Sequence, residues 1–239
     1  MSKPLRALIL AAGLGMRLRP LTMHTPKCLV PIGGEPLLAW WLRKLEATNC
    51  QKVLINTHHL ADEVMKFLNC WHSNNMSIQA VNEPVLLGTA GTLIANKSFF
   101  EGARGLLIHA DNAMASDLDP FLRAHAQRQR GCLVTMLTFH SDSPSSCGIV
   151  EIDPEGIVRA FHEKVAKPPG NLANGAIYAF EQPLIDLISN IEPSPKDFSA
   201  EVIPMLLGRI QTWFTDQTYL DVGSPGALKQ AQRIWRHRR

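Results

Sequence analysis

The chain has 239 residues, of which 46% are apolar, and a formal net charge of +3 at pH 7. A chain of this length can bury a substantial core and commonly forms one α/β domain, so we expect a single domain over residues 1–239. The small charge gives no reason to expect nucleic acid as a partner. The apolar run at residues 7–12 is too short to cross a membrane, so no membrane partner is expected either.

The cysteines form no Cys-x-x-Cys pair; they are Cys28, Cys50, Cys70, Cys132 and Cys147. An odd number without such pairing favours a reducing compartment, which predicts a cytoplasmic protein. His58, His59, Cys70 and His72 also lack the spacing of a zinc site. The basic C-terminal residues follow a helical pattern and are expected to end a helix, with a polyanion-binding tail as the alternative; they are Arg233, Arg236, His237, Arg238 and Arg239.

Through the first half, short β-branched runs alternate with amphipathic stretches, a pattern typical of βαβ units. We predict strands at residues 6–11, 52–57, 78–81 and 105–110, and helices at 37–48, 62–71 and 117–128. In the second half, strands are predicted at 133–139, 148–152, 158–163 and 174–180, and helices at 183–188, 199–207 and 225–235. The turn residues Asp153-Pro154-Glu155-Gly156 predict a hairpin. The expected fold is α/β: a Rossmann-like, doubly wound, mixed and mostly parallel sheet flanked by helices, with a small antiparallel addition.

The first predicted strand runs directly into a glycine loop, which is a site suited to phosphate. Glycines let backbone N–H groups approach anionic oxygens, and arginine offers a planar, permanent charge. The predicted contacts of this loop are Ala11, Ala12, Gly13, Gly15, Met16 and Arg17. Leu18 stands where a dinucleotide fingerprint needs its third glycine, and no Walker lysine follows, so a hydride-transfer enzyme and a P-loop ATPase are both disfavoured.

Lys27 lies between Pro26 and Pro31, which stiffen the segment around its ammonium. Together, Gly-x-Gly-x-Arg-Leu-x-Pro-Leu-Thr and Pro-Lys-x-Leu-x-Pro resemble the N-terminal signature of the sugar-1-phosphate nucleotidyltransferases. The resemblance continues to the C-terminus and implies a nucleotide-diphospho-sugar transferase fold and one catalytic domain. Ala12, Met16 and Cys28 depart from the usual pattern at positions of loop packing.

The segment from Asn82 to Thr92 looks like the base-recognition segment of that family, with Glu83, Gly88, Thr89 and Ala90 as nucleotide contacts. A carboxylate can accept both guanine N–H groups, whereas uracil or thymine offers one donor, so Glu83 favours GTP. UTP or dTTP stays open, as does a role for Glu83 as a charge at a helix start.

Asp111 follows a buried strand at the expected cleft, and a magnesium site there needs a second acid. The family match offers Asp221, in Tyr219-Leu220-Asp221-Val222-Gly223-Ser224-Pro225. The resemblance therefore implies Mg²⁺ as cofactor, bound by Asp111 and Asp221.

The resemblance also implies a sugar-phosphate site. Phe161-His162-Glu163-Lys164 resembles the family's Glu-Lys-Pro element, with Val165 in place of the proline. The implied contacts are Asn112, Gly148, Glu163, Lys164 and Asn174. For Gly148, a bulge glycine is an equal alternative.

The resemblance implies that a sugar 1-phosphate attacks the α-phosphorus of a nucleoside triphosphate and that pyrophosphate leaves. Arg17 would hold the pyrophosphate, Lys27 the transferring phosphates and Lys164 the attacking phosphate. The surroundings look most like guanylyltransferases for manno-configured sugars, mannose 1-phosphate or D-glycero-D-manno-heptose 1-phosphate. A non-catalytic nucleotide-sugar-binding regulatory domain is the alternative from another class, and a homodimer is plausible from symmetry preferences alone.

Overall fold

A computed structural model describes residues 3–236. Its strands, in chain order, are β1 (Leu5–Leu10), β2 (Pro31–Ile32), β3 (Glu35–Pro36), β4 (Cys50–Thr57), β5 (Ser77–Asn82), β6 (Arg104–His109), β7 (Asn112–Met114), β8 (Val134–His140), β9 (Gly148–Ile152), β10 (Val158–Glu163), β11 (Leu172–Glu181), β12 (Ile210–Phe214) and β13 (Tyr219–Asp221). Its helices are α1 (Leu37–Glu46), α2 (Ala61–Asn69), α3 (Thr89–Ala95), α4 (Leu118–Ala126), α5 (Gln182–Ser189), α6 (Ile203–Met205) and α7 (Pro225–Trp235).

The described residues fall into two compact units. Residues 5–86, 108–116 and 218–236 form the unit that contains the glycine loop, here called the glycine-loop unit. Residues 3–4, 87–107 and 117–217 form the unit that contains the β9–β10 hairpin, here called the hairpin unit.

In the glycine-loop unit, β1 pairs with β4 and β4 with β5, and both pairs are parallel. Ala7, Leu8 and Ile9 are all fully buried, which is the pattern of a strand covered on both faces. Parallel pairing places the carboxyl ends of the three strands at one edge, which is where such sheets bind ligands.

A hydrophobic cluster of this unit includes residues of α7. Ser224 caps the helix by accepting a hydrogen bond from the Ala227 N–H at 3.2 Å, and Pro225 occupies the first turn. Trp235 and Val222 pack in the cluster that also contains Val30 and Leu37. The chain just before α7, which carries Asp221, is thereby held against the core.

Antiparallel pairing between β7 and β13 places Asp221 opposite Asn112. Beyond the paired residues, the Val222 N–H donates to the Asp111 carbonyl at 2.8 Å. The two acidic segments named in the sequence analysis are therefore neighbours.

The hairpin unit is mainly antiparallel. β9 pairs with β10, and the Asp153 carboxylate closes their turn by accepting the Ile157 N–H at 2.8 Å. β11 pairs antiparallel with β8, with a register shift between Asn174 and Tyr178, and β12 pairs parallel to β8. The predicted hairpin is confirmed.

The predicted bounds of β9, β10 and α7 match those observed, and the other predicted elements shift by a few residues. The prediction of one regular helix at 199–207 is wrong: a π-helical turn at Phe198–Val202 precedes the three residues of α6. Pro204 lacks the N–H that would continue the helical hydrogen-bond ladder. Among the described residues, no helix is long and apolar enough to cross a membrane. Arg233 lies in the last turn of α7, whereas His237, Arg238 and Arg239 lie outside the described residues.

His125 generates a prediction about stability and pH. It is 2% exposed and bonded to the Thr135 hydroxyl at 2.8 Å, and burial, followed by the charge of Arg128, lowers its pKa from 6.5 to about 3. Because only the unfolded chain gains this proton between pH 6.5 and 3, stability should fall as pH falls through that window, by about 2 kcal/mol at pH 5. His125→Gln should remove this decline in urea unfolding measured from pH 7 to 5. His140→Gln, at an exposed histidine, should keep it, and an equal decline in both variants would contradict the assignment.

Candidate active site

The glycine loop follows β1 and is held by side chains more than by regular structure. Gly15 has a φ of +63°, and a Cβ there would lie 2.8 Å from Thr22 Cγ2, so this position requires glycine. Thr22 is fully buried, and its hydroxyl donates to the Gly15 carbonyl at 2.7 Å. A Cβ at Gly13 would meet nothing within 4 Å, which leaves open space beside the backbone.

Two cations and two carboxylates meet beside this loop. Lys27 Nζ contacts Asp111 Oδ2 and lies 3.8 Å from Asp221 Oδ1. Arg17 Nη2 lies 3.6 Å from Asp221 Oδ2. The Lys27 side chain is 12% exposed and that of Arg17 64% exposed, so the lysine is fixed and the guanidinium is accessible. The structure thus brings together four of the five charged site residues that the sequence predicts in this unit, all except Glu83.

The two carboxylates differ in their pKa values. Burial raises the pKa of Asp221, and the negative charge of Asp111 raises it further. Burial also acts to raise the pKa of Asp111, but the charge of Lys27, together with that of His109, outweighs it and lowers this pKa below its ordinary value. Asp221 therefore lies where burial and a neighbouring carboxylate disfavour its ionised form, which a further cation would favour.

Among residues 3–236, no group of three or more His, Cys, Asp and Glu side chains could hold a metal ion. Mg²⁺ at a phosphoryl site commonly takes one or two carboxylates and completes its shell with water and substrate oxygens. The pair of Asp111 and Asp221 fits that requirement in ligand type, because both side chains are carboxylates.

Glu83 lies at the carboxyl end of β5 and is 3% exposed. Its Oε1 accepts from Asn56 Nδ2 at 2.9 Å, and Asn56 Oδ1 accepts the Ala11 N–H at 2.7 Å. The Glu83 carbonyl accepts from His58 Nδ1 at 2.7 Å. The structure therefore connects Glu83 to the start of the glycine loop through a residue that the sequence analysis did not select.

Four polar residues that were not chosen as site residues hold the loop or Glu83 in place: Thr22, Asn56, His58 and His59. His59 Nε2 donates to the Thr22 carbonyl at 2.8 Å. The signal that could have found three of them is the polar run Asn56-Thr57-His58-His59 at the carboxyl end of a predicted strand.

Gly88, Thr89 and Ala90 lie in the hairpin unit at the start of α3. The Ala90 N–H donates to the Lys196 carbonyl at 2.8 Å, and the Thr89 hydroxyl accepts the Phe198 N–H at 2.6 Å. Gly88 has a φ of +82° beside the Lys196 backbone. These contacts give all three residues a packing role, and their contact with a nucleotide stays a prediction.

Gly148, Glu163 and Lys164 come together in the hairpin. Lys164 Nζ lies 2.9 Å from Glu163 Oε1, and a Cβ at Gly148 would lie 2.7 Å from Glu163 Oε2 and 2.5 Å from Phe161 Cζ. The Lys164 N–H donates to the Cys147 carbonyl at 3.1 Å. Gly148 thus makes room for two side chains of the neighbouring strand.

Asn174 and Asn112 make internal contacts in separate units. The Asn174 amide donates to Tyr178 Oη at 2.7 Å and accepts the Ala176 N–H at 2.9 Å, which stabilises the irregular part of β11. The Asn112 carbonyl, in the glycine-loop unit, accepts from Trp41 Nε1 at 2.9 Å. Sugar contacts by either residue stay predictions.

The profile of one protein family, described as "Nucleotidyl transferase", matches residues 6–237. The chain belongs to this family. The resemblance found in the sequence is therefore confirmed for nearly the whole length of this nucleotidyl transferase chain.

Curated relatives carry related names. Mannose-1-phosphate guanylyltransferase catalytic subunit beta of Drosophila pseudoobscura pseudoobscura is 30% identical over 225 residues, which cover 92% of this chain and 59% of that protein. The mannose-1-phosphate guanylyltransferase of Mycobacterium tuberculosis is 29% identical over 225 residues, covering 92% and 61%. The glucose-1-phosphate thymidylyltransferase of Streptomyces antibioticus is 28% identical over 190 residues, covering 80% and 53%. The chain thus spans 53% to 61% of the length of these relatives.

Solved structures share the fold. A Bacillus anthracis protein assigned as a glucose-1-phosphate thymidylyltransferase, solved with a sucrose, has a TM-score of 0.87 at 23% identity, over 98% of this chain and 96% of that one. HddC from Yersinia pseudotuberculosis, complexed with GMP-PN, has a TM-score of 0.80 at 21% identity, over 96% and 99%. The predicted α/β class, a mixed and mostly parallel sheet flanked by helices, is confirmed.

The bond between Thr22 and Gly15 generates a prediction for the loop. Thr22→Val keeps the shape of the side chain but removes the buried donor, so it should lower the free energy of unfolding by about 1–3 kcal/mol. Thr218→Val is the control, at a half-buried threonine of the same unit whose carbonyl accepts the Ala115 N–H. It should lower the free energy of unfolding by less than Thr22→Val does. Urea unfolding of both variants measures the difference, and equal losses would show that the Thr22 hydroxyl does not stabilise the loop.

Proposed function

We propose that this chain is a sugar-1-phosphate nucleotidyltransferase that transfers a nucleoside monophosphate from a triphosphate to a sugar 1-phosphate and releases pyrophosphate. The observation that carries the proposal is the cluster of Arg17, Lys27, Asp111 and Asp221 beside an open glycine loop. Family membership supports the same reaction.

An oxygen of the sugar 1-phosphate attacks the α-phosphorus, a new P–O bond forms, and the bond to the bridging oxygen of the β-phosphate breaks. Arg17 binds the departing pyrophosphate, for which its accessible guanidinium is suited. Lys27 neutralises the transferring phosphates, and its burial and its carboxylate neighbours fix its position. Because the Lys27 charge is held before substrates arrive, little reorganisation of that charge is needed during transfer.

Asp111 and Asp221 would hold Mg²⁺, which, when bound, adds positive charge at the α-phosphate. Lys164 binds the phosphate of the attacking sugar. Its side chain is 65% exposed, and its ion pair with Glu163 can exchange for a phosphate at little cost. Gly148, Glu163, Asn112 and Asn174 are the proposed surroundings of the sugar.

We propose GTP as the triphosphate and a manno-configured hexose or heptose 1-phosphate as the acceptor. Support comes from Glu83, whose carboxylate matches the donors of guanine, and from relatives named mannose-1-phosphate guanylyltransferase. The Streptomyces relative named thymidylyltransferase keeps dTTP, and with it UTP, as the second candidate.

A non-catalytic nucleotide-sugar-binding domain is the remaining alternative. Such a domain needs neither paired carboxylates for a metal nor a cation for a leaving group. In this chain the two carboxylates and the two cations lie in contact. That arrangement favours catalysis.

The test is pyrophosphate release with Mg²⁺, in a panel of ATP, GTP, CTP, UTP and dTTP against glucose, mannose, N-acetylglucosamine and manno-heptose 1-phosphates. Release with GTP and a manno-configured sugar is expected. Release with UTP or dTTP alone would keep the reaction and overturn the assignment of Glu83. Nucleotide-sugar binding without pyrophosphate release in any combination would favour the binding domain.

Asp111→Ala should lower kcat at least about 1,000-fold, because it removes a carboxylate on which both the metal and Lys27 depend. Asp119→Ala, at an exposed aspartate in the first turn of α4, should keep the wild-type rate. Initial rates in Mg²⁺ and circular dichroism of both variants provide the measurement. A folded Asp111→Ala variant with near-normal turnover would eliminate this residue as a metal ligand.

Lys164→Gln should raise the KM for the sugar 1-phosphate about tenfold or more while leaving the KM for the triphosphate within about threefold, because it removes the cation on one substrate only. Lys167→Gln, three residues along and also exposed, is the matched control. Equal increases in both KM values would place Lys164 outside the sugar-phosphate site.

A further inference from the structure

A residue at the carboxyl end of β4 contacts both Glu83, which is proposed to recognise the base, and the glycine loop. Asn56 is 3% exposed; its Oδ1 accepts the Ala11 N–H at 2.7 Å, and its Nδ2 donates to Glu83 Oε1 at 2.9 Å. We propose that Asn56 is a positioning residue that couples Glu83 to the glycine loop, so that Glu83 governs how the loop holds phosphates even when no base is present. This rests on the proposed function, because the loop that is positioned is the proposed triphosphate site.

The strand register explains why a side chain is needed at this point. Leu10 is the last residue of β1 in register with β4, and its partner is Asn56. The next donor along the chain, the Ala11 N–H, therefore has no strand partner on β4, and the Asn56 side chain accepts it instead. The direction in which the chain leaves β1 and enters Gly13 and Gly15 depends on this bond.

Asparagine suits this position because the side chain has to accept a hydrogen bond from the Ala11 N–H and donate one to Glu83. Aspartate would place a second carboxylate beside Glu83, and an apolar residue would leave the Ala11 N–H without this acceptor. At this burial either change is costly, because a buried polar group that loses its partner is left without a hydrogen bond.

Glu83 is also fixed through its backbone. Its N–H donates to the Thr57 carbonyl at 2.8 Å, and its carbonyl accepts from His58 Nδ1 at 2.7 Å. Three consecutive residues, from Asn56 to His58, thus hold one glutamate. A change in the carboxylate of Glu83 is therefore passed to Asn56 and from there to Ala11, rather than absorbed by movement of the Glu83 backbone.

The coupling differs from base reading in what it predicts for a ligand without a base. If Glu83 only reads the base, its replacement leaves the binding of inorganic tripolyphosphate unchanged. If Glu83 also positions the loop through Asn56, its replacement weakens that binding, although Glu83 would not touch the ligand.

The experiment compares Glu83→Met, which removes the acceptor at similar volume, with Glu83→Gln, which keeps an acceptor for Asn56. In calorimetric titrations with tripolyphosphate and Mg²⁺, Glu83→Met should raise Kd about tenfold and Glu83→Gln less than about threefold. Asn56→Asp should also weaken binding about tenfold. The double variant Asn56→Asp/Glu83→Gln, in which the aspartate accepts from both neighbours, should restore it. Asn190→Asp, at the exposed C-terminal end of α5, is the control for the Asn-to-Asp change.

Hydrogen exchange in the substrate-free protein tests the same coupling without any ligand. The Ala11 amide should exchange about tenfold faster in Glu83→Met and near the wild-type rate in Glu83→Gln. The Leu18 amide, which is bonded locally to the Gly15 carbonyl at 2.9 Å, should not change. Unchanged exchange at Ala11, or equal acceleration at Ala11 and Leu18, would overturn the coupling.

Failure of the proposed function and failure of the coupling between Glu83 and the glycine loop give different results. A wild-type protein that releases no pyrophosphate in the substrate panel contradicts the proposed function, and the exchange rates of Ala11 still decide the coupling. A wild-type protein that turns over substrate while Glu83→Met binds tripolyphosphate normally contradicts the coupling alone.

Discussion

The pairing of β7 with β13 is the constraint on which the charged cluster depends. The pairing sets Asp221 opposite Asn112. The hydrogen bond from the Val222 N–H to the Asp111 carbonyl, at 2.8 Å, continues the contact between the two chain segments by one residue. Two carboxylates from distant parts of the chain are thereby held at one place, where they repel each other unless cations compensate. Lys27 and Arg17 supply that compensation in the substrate-free state, and two neighbouring carboxylates are the type of ligand that a divalent cation takes.

This pairing needs support, because strands of three residues have little stability of their own. Support comes from the apolar cluster behind it, where Val222 and Trp235 are almost fully buried and the Trp40 and Trp235 rings meet edge to face at 5.8 Å. Burial of each such side chain contributes about 1.5–3 kcal/mol. The cap at Ser224 fixes where α7 begins, so the position of Asp221 is set by a core, a cap and a pairing together.

The glycine loop is organised on a different principle. The loop contains short 3₁₀ turns at Met16–Leu18 and Leu21–Met23. Polar side chains hold it at defined points: the buried Thr22 at Gly15, the partly buried His59 at Thr22 and the buried Asn56 at Ala11. Buried hydrogen bonds of this kind favour one arrangement strongly because a group left unbonded is costly. A loop fixed in this way can present open backbone at Gly13 to an anion without rearranging.

The sequence by itself determined most of the regular elements and selected the four charged residues that the structure brings together. Hydrophobic periodicity and turn residues were sufficient for β1, β4, the β9–β10 hairpin and α7, because local patterns decide where such elements form. Arg17 and Lys27 are predicted from the glycine loop and the proline-flanked segment, Asp111 from its place after a buried strand, and Asp221 from the family resemblance. The tertiary structure alone decided the pairing of β7 with β13, the π-helical turn at Phe198–Val202, and the contacts of Asn56 with Ala11 and Glu83. Short strands carry no periodicity, and the partners of a buried amide are chosen by three-dimensional proximity, so neither can be seen in the order of residues along the chain.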